Sequence, residues 1–193
     1  MSGGNYYINI KQDAPESIKK RYYPVPRCQE DMLKKEIERL CEIGTLRKLI
    51  GEEAQENYAF PYFCIPKKDK KGMQFVTDFY DLNKWVQRNP YLIPPIRDTL
   101  NKLDNFTYAI AIDISMGYWY IILDPTSQLK CIITKPWGRY AYQCLPMGLC
   151  ISADIFQERI ARLTEALEFV KVYINNLLCI TKESFDDHLQ KLE

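Results

Sequence analysis

The order of periodic segments predicts an α+β fold. A helical stripe lies near the start, short β-rich runs separated by turn residues follow, and a second helical stripe leads into a β-hairpin. Aromatic residues make up 13% of the chain against only eight glycines, a balance that favours packed strands. No internal repeat or low-complexity tract interrupts the 193 residues, enough for one or two domains with a real core.

Residues 1–27 hold Pro15, Pro24 and Pro26 with little periodicity and read as an extended lead-in. Leu33, Ile37, Leu40 and Cys41 then fall on one helical face that stops near Gly44. Two apolar runs, 60–66 and 74–78, flank residues 67–72, where four lysines outnumber one aspartate; this is the pattern of a hairpin with a basic tip. Pro94 and Pro95 can open a short helix bearing Ile96, Leu100 and Leu103, because a proline in the first turn removes no needed hydrogen bond. Strands are expected at 108–113, 119–123, 131–134 and 140–145, punctuated by Gly117, Pro125 and Gly138.

A second helix is expected from Ser152 to about Leu167, with Ile155, Phe156, Ile160, Leu163 and Leu167 on its apolar stripe. The β-rich runs 170–174 and 177–181 leave Asn175-Asn176 between them as a two-residue hairpin turn, since asparagine tolerates positive φ. Ser184 and Asp187 have the spacing of a helix N-cap and begin a last helix.

Charge and composition exclude more than they identify. Twenty-six basic and 25 acidic residues nearly cancel, so no global field selects nucleic acid or a membrane. No apolar run nears the roughly 18 residues of a membrane span. Seven cysteines, odd in number and without zinc or redox spacing, read as free and mostly buried thiols. With no signal-peptide pattern at Met1, they point to a reducing intracellular compartment. A single histidine, His188, leaves no material for His-based triads or His-rich zinc sites.

Asp113 ends the nearly uncharged run Tyr-Ala-Ile-Ala-Ile-Asp, where an unpaired buried carboxylate would cost several kcal/mol. It therefore needs water, a cation or a metal, or it caps the turn at 114–117. Order along the chain adds more. Tyr23-Pro24-Val25-Pro26, Phe63-Cys64-Ile65-Pro66-Lys67-Lys68, Phe75-Val76-Thr77-Asp78-Phe79, Leu82-Asn83, Asp113 with Gly117-Tyr118, Leu145-Pro146-Met147-Gly148-Leu149, Asp154-Ile155-Phe156-Gln157 and Tyr173-Ile174-Asn175-Asn176 follow one another. In that order the chain resembles the reverse transcriptases of long-terminal-repeat retroelements, the Ty3/gypsy group and its retroviral relatives above all, from about Tyr22 to Glu193.

The resemblance implies a right-hand polymerase, with an antiparallel palm sheet packed on helices: fingers in 28–105 with part of the palm interleaved, palm in 106–193, and no thumb. In that family three carboxylates hold two Mg²⁺ ions that activate the primer 3′ hydroxyl and stabilise charge on the transferred phosphate. Asp113 matches the first carboxylate. The family's Tyr-x-Asp-Asp is here Tyr173-Ile174-Asn175-Asn176, so the catalytic and metal positions are Asp113, Asn175 and Asn176, with two carboxylates replaced by amides. Mg²⁺ is thus expected to bind weakly or not at all, and polymerisation to be negligible.

For the nucleotide, the resemblance assigns Lys67 to the phosphates, Gln74 to a position where relatives place a second basic residue, Tyr118 to a gate against the ribose 2′-hydroxyl, and Met147 and Gly148 to the pocket lining. Lys67 also reads as a solvated hairpin lysine, Tyr118 as a core aromatic and Gly148 as a turn residue. Tyr80, Ile151 and Ala153 depart from the family's usual Arg, Asn and Pro, which favours a naturally degenerate or repurposed copy over an engineered one. The implied partners are an RNA or DNA primer–template and dNTPs, or a protein partner including a thumb or RNase H portion. The implied setting is a cytoplasmic particle or the nucleus, with no membrane.

Overall fold

A computed structural model of the chain describes residues 4–66, 73–93, 95–101, 103 and 105–192; side chains are described for all of these except 28, 64–66, 73–75, 96, 99 and 100. Two compact units are present, Met1–Arg88 with Tyr118–Ser152, and Asn89–Gly117 with Ala153–Glu193. No helix among the described residues is long and apolar enough to cross a membrane.

The first unit is built on helix α1, Arg27–Glu42, and an antiparallel sheet of β2 (Leu46–Lys48), β8 (Gly138–Tyr142) and β7 (Ile132–Lys135) in that order. Leu33, Ile37 and Leu40 of α1 are buried as their spacing predicts. The helix stops where the Thr45 N–H reaches back to the Leu40 carbonyl across Gly44, whose φ is +73°. Phe60 and Phe79 meet edge to face with ring centroids 5.3 Å apart, and Phe79 meets Tyr142 at 6.0 Å. The Tyr142 hydroxyl, pushed up in pKa by burial, shares a 2.8 Å hydrogen bond with the Thr77 hydroxyl.

Strands β4 (Tyr62–Pro66) and β5 (Met73–Thr77) pair antiparallel as the expected hairpin; its tip, with Lys67, lies outside the described residues. The lead-in is extended but is also part of the core. Ile8 is fully buried, its N–H donates at 2.8 Å to Ser127 Oγ on the short helix α4 (Pro125–Gln128), and its carbonyl accepts from Lys130 Nζ at 2.9 Å. Further along, β1 (Ile18–Lys19) adds in parallel to β3 (Tyr58–Ala59). Local sequence offered no sign of this, because a segment held by partners 40 to 122 residues away has no periodicity of its own.

In the second unit, β10 (Asn176–Thr181) is flanked by β6 (Tyr108–Asp113) and β9 (Val170–Tyr173), both antiparallel to it. Helices α3 (Ile96–Asn101) and α6 (Phe185–Gln190) belong to this unit. Pro94 lies outside the described residues, and the Asp98 N–H bonds to the Pro95 carbonyl at 2.9 Å. Ser184 caps α6 by accepting the Asp187 N–H at 3.1 Å. His188, the single histidine, is buried, with Nδ1 2.9 Å from the Thr181 hydroxyl and its ring stacked on Tyr108.

Four expectations need correction. Residues 119–123 form no sheet strand: Gly117–Tyr120 is a 3-10 turn, and the chain beyond it makes only the isolated bridges Ile122↔Cys144 and Tyr6↔Leu123. Strand β8 ends at Tyr142 rather than 145. Helix α5 runs Ser152–Leu163 and no further; the Thr164 hydroxyl bonds the Ile160 carbonyl at 2.9 Å where the helix ends. Leu163, the last residue of the helix, and Leu167, beyond its end, are both exposed, since a stripe in the sequence does not report whether anything is laid against it. The fourth concerns the turn at 174–175, described below.

Five cysteines have described side chains, all free thiols, and three of them, Cys131, Cys144 and Cys179, are buried. Burial pushes Cys144 up to about 11 and raises Cys131 and Cys179 too, so these thiols stay protonated near neutral pH.

Candidate active site

The register of the second unit's sheet sets Asp113 opposite Asn176, and Tyr173 pairs with the same Asn176 from the other side. The turn between β9 and β10 is thus Ile174-Asn175, one residue earlier than expected. Its single left-handed residue is Ile174 at φ +53°, not an asparagine. A β-branched residue in that region is an outlier. It persists because tertiary bonds hold the turn: the Ile174 N–H donates to Gln157 Oε1 at 2.6 Å, and the Asn175 carbonyl accepts from the Ile114 N–H at 2.7 Å.

Three polar side chains converge at this end of the sheet. Asn175 Nδ2 donates to Asp113 Oδ1 at 2.6 Å, and Asn176 Nδ2 donates to Asn175 Oδ1 at 3.3 Å. The amide orientation follows from charge, since the opposite flip would set an amide oxygen against a carboxylate oxygen. The structure therefore brings Asp113, Asn175 and Asn176 together as one ladder with Asp113 at its end, its side chain open to solvent.

This donor set does not fit a pair of divalent cations. Mg²⁺ and its relatives bind through hard, preferably anionic oxygens, and here one carboxylate stands beside two neutral amides. One oxygen of that carboxylate already accepts a hydrogen bond that a cation would have to break. Among the described residues, no group of three or more His, Cys, Asp or Glu is arranged to hold a metal.

The residues that the resemblance assigns to a nucleotide divide. In the first unit, Met147 is 42% exposed at the surface and Gly148 has φ +101°. Asn83, at the end of α2 (Tyr80–Asn83), braces that turn: its Nδ2 donates to the Gly148 carbonyl at 2.9 Å and its Oδ1 accepts the Cys150 N–H at 2.8 Å. A Cβ on Gly148 would lie 3.2 Å from the Thr77 carbonyl, so Gly148 is required both by conformation and by close approach. Gly148→Ala is expected to cost about 1–3 kcal/mol, read as a lower urea midpoint with an unchanged slope; no shift of the midpoint would contradict the strain.

Tyr118 sits in the 3-10 turn, half-buried, its hydroxyl pushed up in pKa by burial. Next to it, Gly117 is buried, and a Cβ there would land inside the Phe156 ring. Gln74 is placed on β5 opposite Ile65, with its side chain outside the described residues, as is all of Lys67. Of the departures, Tyr80 is 65% exposed under the Lys84 ammonium, 4.2 Å from its ring centroid, whereas Ile151 is buried.

Asn83 and Gln157 lie within the motifs Leu82-Asn83 and Asp154-Ile155-Phe156-Gln157, and neither has a role that residue order alone assigns. The available signal was polarity out of place: Gln157 follows Phe156 on a helix where it is 3% exposed, and a buried amide requires partners.

No family model matches the chain. It is 30% identical over 152 residues to an enzymatic polyprotein of Cestrum yellow leaf curling virus, covering 76% of this chain and 24% of that protein. It is 29% identical over 189 residues to the retrovirus-related Pol polyprotein from transposon opus of Drosophila melanogaster, covering 95% of this chain and 18% of the relative. It is 28% identical over 181 residues to the transposon Tf2-7 polyprotein of Schizosaccharomyces pombe, covering 90% and 13%. The chain thus spans about a quarter or less of these relatives.

Among solved structures, the foamy viral protease-reverse transcriptase in complex with dsDNA superposes with a TM-score of 0.87 at 22% identity, over 99% of this chain and 38% of that one. The same protein in complex with an RNA/DNA hybrid gives 0.82 at 22% identity, over 99% and 25%.

Proposed function

Because this chain is homologous to retroelement Pol polyproteins and has the reverse-transcriptase fold, we propose that it is the fingers-and-palm segment of an RNA-directed DNA polymerase lineage whose catalytic metal site has been lost. The observation that carries this reading is the hydrogen bond from Asn175 Nδ2 to Asp113 Oδ1. An amide donor stands where a two-metal polymerase needs a second anionic oxygen, and it uses the remaining carboxylate as its acceptor. Nucleotidyl transfer through Mg²⁺ at Asp113, Asn175 and Asn176 therefore has no foothold in this chain. Tyr118, Met147, Gly148, Lys67 and Gln74 are then the former nucleotide positions, of which Gly148 and its Asn83 brace keep their structural duty.

Titration with Mn²⁺ followed by electron paramagnetic resonance tests the metal argument directly. The chain is expected to leave the free-Mn²⁺ signal unreduced at sub-millimolar concentrations, and Asn175→Asp combined with Asn176→Asp is expected to create a saturable site. Tight Mn²⁺ binding by the unaltered chain would overturn the proposal.

A second reading keeps the fold as a non-catalytic grip on nucleic acid. It is favoured by the four lysines in residues 67–72 and by the foamy viral relatives, which were solved with dsDNA and with an RNA/DNA hybrid. Phosphate contacts release counterions, so primer–template affinity should fall steeply with salt, by a slope of about one per neutralised phosphate on a log–log plot. Absent or salt-independent duplex binding would point instead to a protein partner or to none.

A further inference from the structure

We propose that Gln157 is the positioning residue of this site: its buried side-chain amide holds Ile174 in the left-handed conformation that aims Asn175 at Asp113. Calling the site a former metal centre rests on the function proposed above; the clamp itself is a matter of hydrogen bonds and backbone geometry. In a two-residue turn closed by Tyr173 and Asn176, the N–H of the first central residue has no strand partner. Gln157, 3% exposed on α5, supplies one, with Oε1 2.6 Å from the Ile174 nitrogen, and its Nε2 reaches the Val172 carbonyl at 3.5 Å on the strand leading into the turn.

The oxygen must face Ile174, because only an acceptor can serve an N–H. From the other side, the Ile114 N–H takes the Asn175 carbonyl at 2.7 Å. Gripped from helix and sheet, Ile174 stays at φ +53° although its branched side chain disfavours it, the circumstance in which such outliers persist. Asn175 is thereby aimed at Asp113, whose Oδ1 accepts its Nδ2 at 2.6 Å. What positions 175 and 176 have lost is charge, and the frame that places them remains.

The test uses the full chain without metal or nucleic acid. Gln157→Leu is expected to speed hydrogen exchange at the Ile174 amide about tenfold more than at Cys179 in mid-strand, and to change the NMR shifts of the Asn175 side-chain amide. Gln157→Glu keeps an acceptor and should retain most of the protection. Ile174→Gly needs no help at positive φ, so adding it should shrink the effect of Gln157→Leu on the folding equilibrium several-fold. If Gln157→Leu alone fails to fold, recovery by Ile174→Gly supports the clamp and failure to recover overturns it. Equal destabilisation with either residue at 174, or unchanged exchange at Ile174, would also overturn it. Mn²⁺ binding by the unaltered chain would sink the lost-metal reading and leave these readouts intact.

Discussion

Incubated with a primed template, deoxynucleotides and Mg²⁺, the chain is expected to add no nucleotide. Carrying the Asn-Asn pair into the matching positions of an active reverse transcriptase is expected to slow single-turnover extension by roughly four to six powers of ten, the equivalent of losing about 5–8 kcal/mol of metal-assisted stabilisation. The estimate follows from charge. Of Asp113, Asn175 and Asn176 only Asp113 carries an anionic side chain, and its Oδ1 is already hydrogen-bonded to Asn175.

The two positions are not equivalent in this chain. Asn175→Asp alone would set a carboxylate oxygen at contact distance from that of Asp113, so without a cation the pair must share a proton or part. That variant should melt lower than the unaltered chain at neutral pH and regain stability on adding Mn²⁺. Asn176→Asp removes only the weaker 3.3 Å rung and should show little of either effect. Magnesium-dependent extension by the unaltered chain, or identical thermal behaviour of the two single variants, would contradict the argument.

Arg139→Leu is expected to be strongly damaging although it lies away from the site, at about 3 kcal/mol, or a melting temperature lower by about 6–12 °C. The Arg139 guanidinium on β8 donates to the carbonyl of Ala54 at 2.6 Å, to that of Glu56 at 3.0 Å, and to that of Tyr58. It thereby fixes the 3-10 segment Gly51–Gln55 and strand β3 to the sheet. Burial lowers its pKa, yet the group stays charged at any pH at which the protein folds. Arg139→Lys keeps a charge that can reach one or two of the three carbonyls and should fall between. A melting temperature unchanged by Arg139→Leu would show that solvent satisfies those carbonyls.

Legibility in the sequence tracked how local each cause was. Strand 108–113 was bounded to the residue, because an uncharged run ending in Asp113 and a turn has only one extended reading. The Ser184 cap was equally clear, since both of its atoms lie within four residues. The turn at 174–175 was misplaced by one residue: asparagine's tolerance of positive φ is a local preference, and a distant helix overrode it through one buried amide. The partners of Asn83 and Gln157 were hidden for the same reason, 65 and 17 residues away.

Taken alone, the amino-acid order settled the α+β class and the kinship with retroelement Pol polyproteins, both of them matters of residue type and spacing. Only the folded chain decided that the amides bond to Asp113, that Ile174 bears the backbone strain, and that the lead-in buries Ile8. Those outcomes depend on hydrogen-bond partners drawn from 17 to 119 residues away. No local pattern encodes which distant group will meet an unpaired N–H; packing selects it.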